Sequence, residues 1–354
     1  MKSVEVRAGQ QRYEVLIGPG LLAEIGALVR GHFRGERCAV ISDANVVPLF
    51  AGKICDSLRQ AGFRPELIEV APGENSKSIR QAASICEKLN TVGLDRSSFL
   101  VSLGGGMVSD LAGFVASIYL RGIPYVSVPT TLLAQIDSCI GGKTGVNANA
   151  GKNLIGSFHH PSLVVADTET LRTLPDPIWN EGFAEAIKHG IICDRELFES
   201  IPGVDRQDPT AFVERNLAIK AAIVATDAHE QNDIRALLNF GHTIGHAIEH
   251  AAGYDNLLHG EAISLGIVAA ARVSIQRAGL SLGECEQIIA TLRACHLPTT
   301  LPPDFPREKF FAALPRDKKF ENGCVRFVVA DEIGRARVST EVTMDDLRAA
   351  VDAL

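Results

Sequence analysis

The chain has 354 residues, 35 Lys and Arg against 42 Asp and Glu, a formal net charge of −7 and 46% hydrophobic residues, the balance of an ordinary water-soluble globular protein. That length holds about two domains. A mildly acidic chain with no polybasic run and only 6% aromatics argues against nucleic acid or an anionic membrane as the main partner, so a small molecule is expected instead.

In chain order, the N-terminal stretch MKSVEVRAGQQRYEVLIGPG alternates polar and apolar residues as a strand does and has no hydrophobic signal core, so the expected location is the cytoplasm. Short β-branched runs follow at 38 to 42, 66 to 70, 99 to 103, 125 to 128 and 163 to 167, separated by segments of helical length. This is the pattern of a mostly parallel sheet covered by helices. The longest uncharged stretch near the centre, Gly122 to Ile136, contains Pro124 and Pro129 and is shorter than the ~18 apolar residues of a membrane helix. Near Leu174-Pro175-Asp176-Pro177 the character changes, and helices are predicted over about 179 to 193, 209 to 226, 235 to 252, 260 to 278 and 283 to 295, with a strand pair near 325 to 330 and 335 to 339. The expected domains are therefore an α/β domain over 1–176 and a mainly α-helical domain over 177–354, with ligand chemistry between them. Eight cysteines contain no C-x-x-C pair, so they read as reduced thiols, and any metal must be held by His and carboxylate.

The strand FLVSL runs straight into Gly104-Gly105-Gly106 and then into a helical pattern, which bares backbone N–H groups and a positive dipole end to a diphosphate. The spacing is not G-x-G-x-x-G, since Ser109 takes the last position, and a plain tight turn is the alternative. GGKTG at 141 to 145 invites a phosphate-loop reading, but Asp137 stands where Walker A needs glycine. What remains is Lys143 and Lys152 beside glycines, with Asn153 adjacent, as donors to an anion or as plain surface lysines. Four of the ten histidines fall between 242 and 259. His242 and His246 are four apart on one helix face, near Arg235 and Asn239, and His259 supplies a third imidazole. Gly241 and Gly245 read as interior to that helix, where each costs roughly 1 kcal/mol against Ala, so something must approach that face closely. A metal or substrate site is the favoured reading, and His250 reads as an exposed helix residue. Glu185 and Lys188, three apart, read either as a ligand with a cation or as an i, i+3 ion pair.

Taken in order, GGGMVSDLAGFVASIYLRGIPYVSVPTTLLAQIDSCIGGKTGVN, GKNLIGSFHHP, FAEAIKHG, LLNFGHTIGHAIE and HGEAISLG resemble the 3-dehydroquinate synthase family of sugar-phosphate cyclases, densest from Gly104 to Gly266. The resemblance implies an NAD-binding first half and a metal-binding second half. It maps the metal ligands, for Zn²⁺ or Co²⁺, onto Glu185, His242 and His259, and makes His246 a substrate contact. Lys143, Asn153, Lys188, Lys220, Glu230, Arg235, Asn239 and Lys318 or Lys319 match substrate or phosphate contacts, and Arg121 matches one supplied by the partner of a homodimer. Asp43, Asn45, Glu74, Lys77, Gly105, Gly106, Asp110, Thr130, Thr131, Asp137, Ser138, Lys152 and Thr173 match the NAD side; read alone, Asp43, Asn45, Glu74 and Lys77 are turn or cap residues. The segment from Lys220 to Arg235 is one residue longer than the family pattern, and His159-His160 replaces the usual aromatic or His followed by Gln.

By the same resemblance the activity is a carbon–oxygen lyase step of the shikimate pathway. 3-Deoxy-D-arabino-heptulosonate 7-phosphate gives 3-dehydroquinate and phosphate through transient NAD oxidation, β-elimination, reduction and aldol closure. A sister cyclase making a deoxyinosose or valiolone shares these parts, although GGKTG with GKN resembles the dehydroquinate branch. A metal- and NAD-dependent polyol dehydrogenase needs fewer cations, and a non-catalytic NAD-binding regulator does not need the metal and lysine positions that are intact here.

Overall fold

The computed structural model describes residues 1–149, 151–227, 233–253, 257–313, 320–321 and 324–354. The chain opens with an antiparallel pair, β1 (Lys2–Ala8) and β2 (Gln11–Gly18). It continues as α1 (Ile25–Arg30), β3 (Arg37–Asp43), α2 (Gly52–Gln60), β4 (Arg64–Val70), α3 (Ile79–Thr91), β5 (Phe99–Gly104), α4 (Gly106–Ile118) and β6 (Tyr125–Pro129). A hairpin, β7 (Lys143–Ala148) and β8 (Gly151–Phe158), precedes β9 (Leu163–Asp167). Seven strands form one sheet in the order β1-β2-β9-β6-β5-β3-β4, parallel from β2 onward.

The parallel strands are apolar on both faces because helices cover both. Along β3, Cys38 and Val40 join the core made with α1 and α2, while Ala39 and Ile41 join the core made with α3 and α4. Phe99 anchors the first of these cores, stacked on Phe33 with ring centroids 4.1 Å apart and edge-on to Phe63 at 5.1 Å. The register aligns Asp43 with Val70, Ser42 with Leu103, and Gly104 with Pro129, so the carboxyl ends of β4, β3, β5 and β6 share one edge. The connections diverge between β3 and β5, and such a switch point is where open α/β sheets bind ligands.

The remaining elements are α5 (Asp176–Cys193), α6 (Arg195–Ser200), α7 (Thr210–Thr226), α8 (Asp233–Ala236), α9 (His242–Ala252), α10 (His259–Arg277), α11 (Leu282–Ala294), α12 (Arg307–Ala313) and α13 (Met344–Asp352). Four short strands lie among them, β10 (Phe320–Glu321), β11 (Cys324–Val325), β12 (Phe327–Glu332) and β13 (Arg335–Ser339), paired as β10 with β11 and β12 with β13. Two compact units result: Met1–Leu174 with Asp205–Ala225, and Pro175–Val204 with Thr226–Leu354. This differs from a single cut after residue 176, because the α7 segment returns to the first unit. Glu214 pairs with Lys2 at 2.9 Å, Thr210 Oγ1 meets Thr168 Oγ1 at 3.2 Å, and the Arg206 guanidinium donates to the Leu171 carbonyl.

In the second unit α9 and α10 pack through glycines. A Cβ on Gly245 would lie 2.7 Å from Ile263 Cδ1, and one on Gly266 would overlap the Gly241 carbonyl and sit 2.7 Å from Gly245 N. The helix predicted over 235 to 252 is in fact broken. α8 ends at Ala236, a single 3-10 turn spans Leu237–Asn239, and Gly241, in the left-handed region at φ +77°, starts α9. The close approach expected at these glycines is that of α10, whereas Gly241 precedes α9 instead of lying inside a helix, which corrects its expected placement. No helix is long and apolar enough to cross a membrane among the described residues.

Candidate functional site

In the first unit the residues assigned to the NAD side collect past the carboxyl ends of the strands. β5 passes through Gly104 and Gly105 into the N-terminus of α4, whose first amides lack intrahelical partners. A Cβ on Gly105 would stand 3.1 Å from Thr131 Cγ2, and one on Gly106 would stand 3.3 Å from Ser138 Oγ, so the backbone is bare because the loop after β6 lies against it. The buried hydroxyls of Thr130 and Ser138 have no hydrogen-bond partner among the described residues. A half-buried turn of amides flanked by unpartnered hydroxyls fits a dinucleotide phosphate.

Asp43 caps its own turn by accepting from Asn45 N at 2.9 Å and Val46 N at 3.3 Å, and Asn45 is exposed just beyond it. Buried Lys77 is held between Asp110 at 2.5 Å and Glu74 at 3.9 Å. Buried Lys220 donates from Nζ to the Asp137 carbonyl at 2.7 Å and pairs with its carboxylate at 3.0 Å. Thr131 Oγ1 accepts from Ala134 N, and Thr173 is exposed with its hydroxyl donating to Thr170 O. Lys143, exposed, starts β7; Lys152, half-buried, and Asn153, exposed, lie on β8. The KTG of GGKTG thus opens a strand of a hairpin rather than a phosphate loop. Arg121 is exposed on the turn after α4, in a left-handed pair with Leu120 at φ +68° and +49°.

In the second unit α5 carries Glu185 and Lys188 on one face, both fully buried. Their side chains form an ion pair through Glu185 Oε2, so the i, i+3 bridge and the ligand reading coexist. Oε1 faces His242 Nε2 at 3.3 Å and His259 Nε2 at 3.6 Å and has no hydrogen-bond partner among the described residues. Each imidazole is oriented from behind: His242 Nδ1 lies 3.1 Å from the Phe240 carbonyl, and His259 Nδ1 lies 3.5 Å from Glu249 Oε2. One donor atom each from Glu185, His242 and His259 lie within 4.8 Å of one another. A carboxylate and two outward-held imidazoles fit a borderline divalent ion with coordination positions left open.

Burial raises the Glu185 pKa, but Lys188 and His242 outweigh it and hold the carboxyl well below the usual carboxylate range. Burial pushes His242 down, and Glu185 offsets only part of this. Burial acts the same way on His259, yet the Glu185 and Glu249 carboxylates on its two nitrogens carry it above the usual value. Protons and a metal ion compete for these same nitrogens.

His246 is exposed, with its ring 5.2 Å from that of His242 and 5.9 Å from that of His259, so it stands beside the trio. Arg235 is buried on α8 and Asn239 half-buried on the next turn. Glu230, Lys318 and Lys319 lie outside the described residues. Sequence reasoning missed Glu249, although its offset of seven from His242 on one helix gave the signal. It also did not single out Asn147, which donates from Nδ2 to Glu74 Oε1 at 2.8 Å across a hairpin that glycine-rich sequence disguises.

The 3-dehydroquinate synthase N-terminal model matches residues 67–181 and the C-terminal model residues 182–320. A 3-dehydroquinate synthase from Symbiobacterium thermophilum is 46% identical, with 98% of this chain and 99% of that one covered. Another from Thermodesulfovibrio yellowstonii is 41% identical over the same shares. Among solved structures, 2-epi-5-epi-valiolone synthase from Streptomyces hygroscopicus subsp. jinggangensis, with NAD⁺ and Zn²⁺ bound, superposes with a TM-score of 0.89 at 29% identity over 98% of both chains.

Proposed function

The chain belongs to the 3-dehydroquinate synthase family, and from that premise we propose that Glu185, His242 and His259 hold a Zn²⁺ or Co²⁺ ion and that the sheet edge around Gly105 and Gly106 binds NAD. The reaction is the family's, conversion of 3-deoxy-D-arabino-heptulosonate 7-phosphate to 3-dehydroquinate and phosphate. When bound, NAD supplies a hydride acceptor restored within the turnover, and the ion supplies Lewis acidity at the hydroxyl being oxidised. The observation that carries the reading is the convergence of two Nε2 atoms, each fixed from behind, on the buried Glu185 Oε1.

The chain's own groups divide the remaining work. Lys143, Asn153, Lys188, Arg235, Asn239 and His246 contact the substrate, and Lys318 or Lys319 adds charge at the phosphate. Cationic donors placed where a phosphate departs stabilise the charge that develops on it. Lys220 is aimed by its ion pair with Asp137, and Glu230 stands near it in sequence. Asp43, Asn45, Glu74, Lys77, Asp110, Thr130, Thr131, Asp137, Ser138, Lys152 and Thr173 serve the NAD side. No side chain is assigned as a unique base.

The protein acts as a cytoplasmic homodimer in which Arg121 reaches the other subunit's phosphate site. Exposed Ile118, Leu120, Leu154, Ile155 and Phe158 support this, because the 2.7 Å bond between Ser117 Oγ and Ser157 Oγ joins the end of α4 to β8 and gathers apolar surface near Arg121. Inactive Arg121→Ala subunits mixed with inactive Lys188→Ala subunits are expected to regain part of the activity. No rescue despite confirmed subunit exchange contradicts a shared site.

The metal assignment is tested by elemental analysis. Glu185→Ala and His259→Ala are expected to lose the ion, whereas His246→Ala keeps it and loses turnover. Full metal content in the first two variants overturns the ligand set.

A further inference from the structure

We propose that Asn147 is a positioning residue that ties the substrate-side hairpin to the NAD-side turn, so that its two carboxamide atoms set two different affinities. The pairing of β7 with β8 shifts register between Val146 and Ala148, where the extra residues of β8 bulge opposite Asn147 and leave it outside the ladder. Bulges re-aim a side chain. Freed from the hairpin, the Asn147 backbone N–H donates to the Lys77 carbonyl at 2.8 Å, and a single parallel bridge joins Asn147 to Ser78 at the start of α3.

The side chain then works in two directions. Nδ2 donates to Glu74 Oε1 at 2.8 Å, and Oδ1 accepts from the Asn153 backbone N–H at 2.9 Å. Only this orientation gives the carboxylate a donor and the amide an acceptor, so the assignment follows from the partners. Asn153 has φ +57°, a left-handed conformation that asparagine tolerates better than most residues and that the bond from its N–H to Asn147 helps fix. Glu74 in turn lies 3.9 Å from Lys77, which pairs with Asp110. One carboxamide therefore orients a carboxylate on the NAD side and fixes the backbone that presents Asn153, next to Lys152. Aspartate keeps the acceptor but sets a second carboxylate against Glu74, and alanine supplies neither atom.

The proposal rests on the assignment of Glu74 to NAD and Asn153 to substrate, and the test separates the two. The Kd for NAD⁺ is measured by equilibrium dialysis and the KM for 3-deoxy-D-arabino-heptulosonate 7-phosphate by phosphate release, for the unaltered chain, Asn147→Asp and Asn147→Ala. Asn147→Asp is expected to raise the NAD⁺ Kd about tenfold and to leave KM within about threefold, while Asn147→Ala raises both about tenfold, the scale of one lost hydrogen bond to a charged or strained partner. If Asn147→Ala does not fold, the isosteric aspartate variant alone carries the split. Equal losses on both sides in Asn147→Asp, or unaltered Kd and KM with only a lowered Tm, overturn the proposal. Absence of NAD⁺ binding by the unaltered chain removes the functional reading and the proposal with it.

Discussion

At the scale of single residues, the proposed metal set depends on what stands behind each imidazole. A histidine ring turned by a few tens of degrees no longer offers Nε2 to Glu185. The Phe240 carbonyl prevents this for His242, and Glu249 does so for His259. Glu249→Gln preserves volume but exchanges an anionic acceptor for a neutral amide. It is expected to weaken divalent-ion binding about 10- to 100-fold, read by competition with a chelator, with the fold intact by circular dichroism. Unaltered affinity removes Glu249 from this role. The candidate ligands themselves were legible in the sequence, because His242 and His246 at helical spacing, His259 and the Glu185–Lys188 pair are local patterns. The division between His242 as ligand and His246 as substrate contact was not legible from spacing, since both face the same way on α9. It came from the resemblance, and the observed exposure of His246 and the convergence of His242 on Glu185 support it.

At the scale of elements, the close contact of α9 with α10 sets the distance between His242 and His259. A methyl on Gly266 would overlap backbone atoms of Gly241 and Gly245, which cannot rotate away, whereas one on Gly245 first meets the flexible end of Ile263 and stays 3.1 Å from the backbone of Ala262 and Ile263. Gly266→Ala is therefore expected to destabilise by about 3 kcal/mol in urea unfolding, the upper part of the overpacking range, and to release bound metal as the helices part. Gly245→Ala is expected to cost about 1 kcal/mol or less, because the roughly 1 kcal/mol gain in helix propensity offsets part of the strain. Equal stabilities for the two would show that the helices are not in backbone contact at Gly266. Sequence reading placed the parallel strands because buried β-branched runs such as FLVSL and LVVAD are unambiguous when they alternate with helical segments. It failed on β7 and β8, since KTGVNA and GKNLIGSF hold glycine and asparagine where strand propensity is low. It also joined α8 to α9, because the break at Gly241 follows from packing against α10 and leaves no mark in the hydrophobic period.

At the scale of the whole molecule, two units divide the assigned roles: the parallel sheet carries the NAD set, and the helices α5, α9 and α10 carry the metal set. The return of α7 to the first unit has a chemical consequence, since it delivers Lys220 to Asp137 within that unit. A boundary read from chain character could not show this, because α7 is as helical in pattern as its neighbours and only its tertiary contacts assign it. The number of cations assigned around the substrate separates a cyclase from a dehydrogenase acting on a neutral polyol, which has no leaving phosphate to stabilise. The central claim is that the hydride taken from the substrate is returned within the same turnover. Its direct measurement follows phosphate, dehydroquinate and absorbance at 340 nm together, a wavelength at which NADH but not NAD⁺ absorbs, with NAD⁺ supplied in about the same amount as enzyme. Many turnovers are expected, with phosphate and dehydroquinate rising in equal amounts and no sustained NADH signal. NADH that accumulates steadily without phosphate release would contradict the synthase and identify a dehydrogenase.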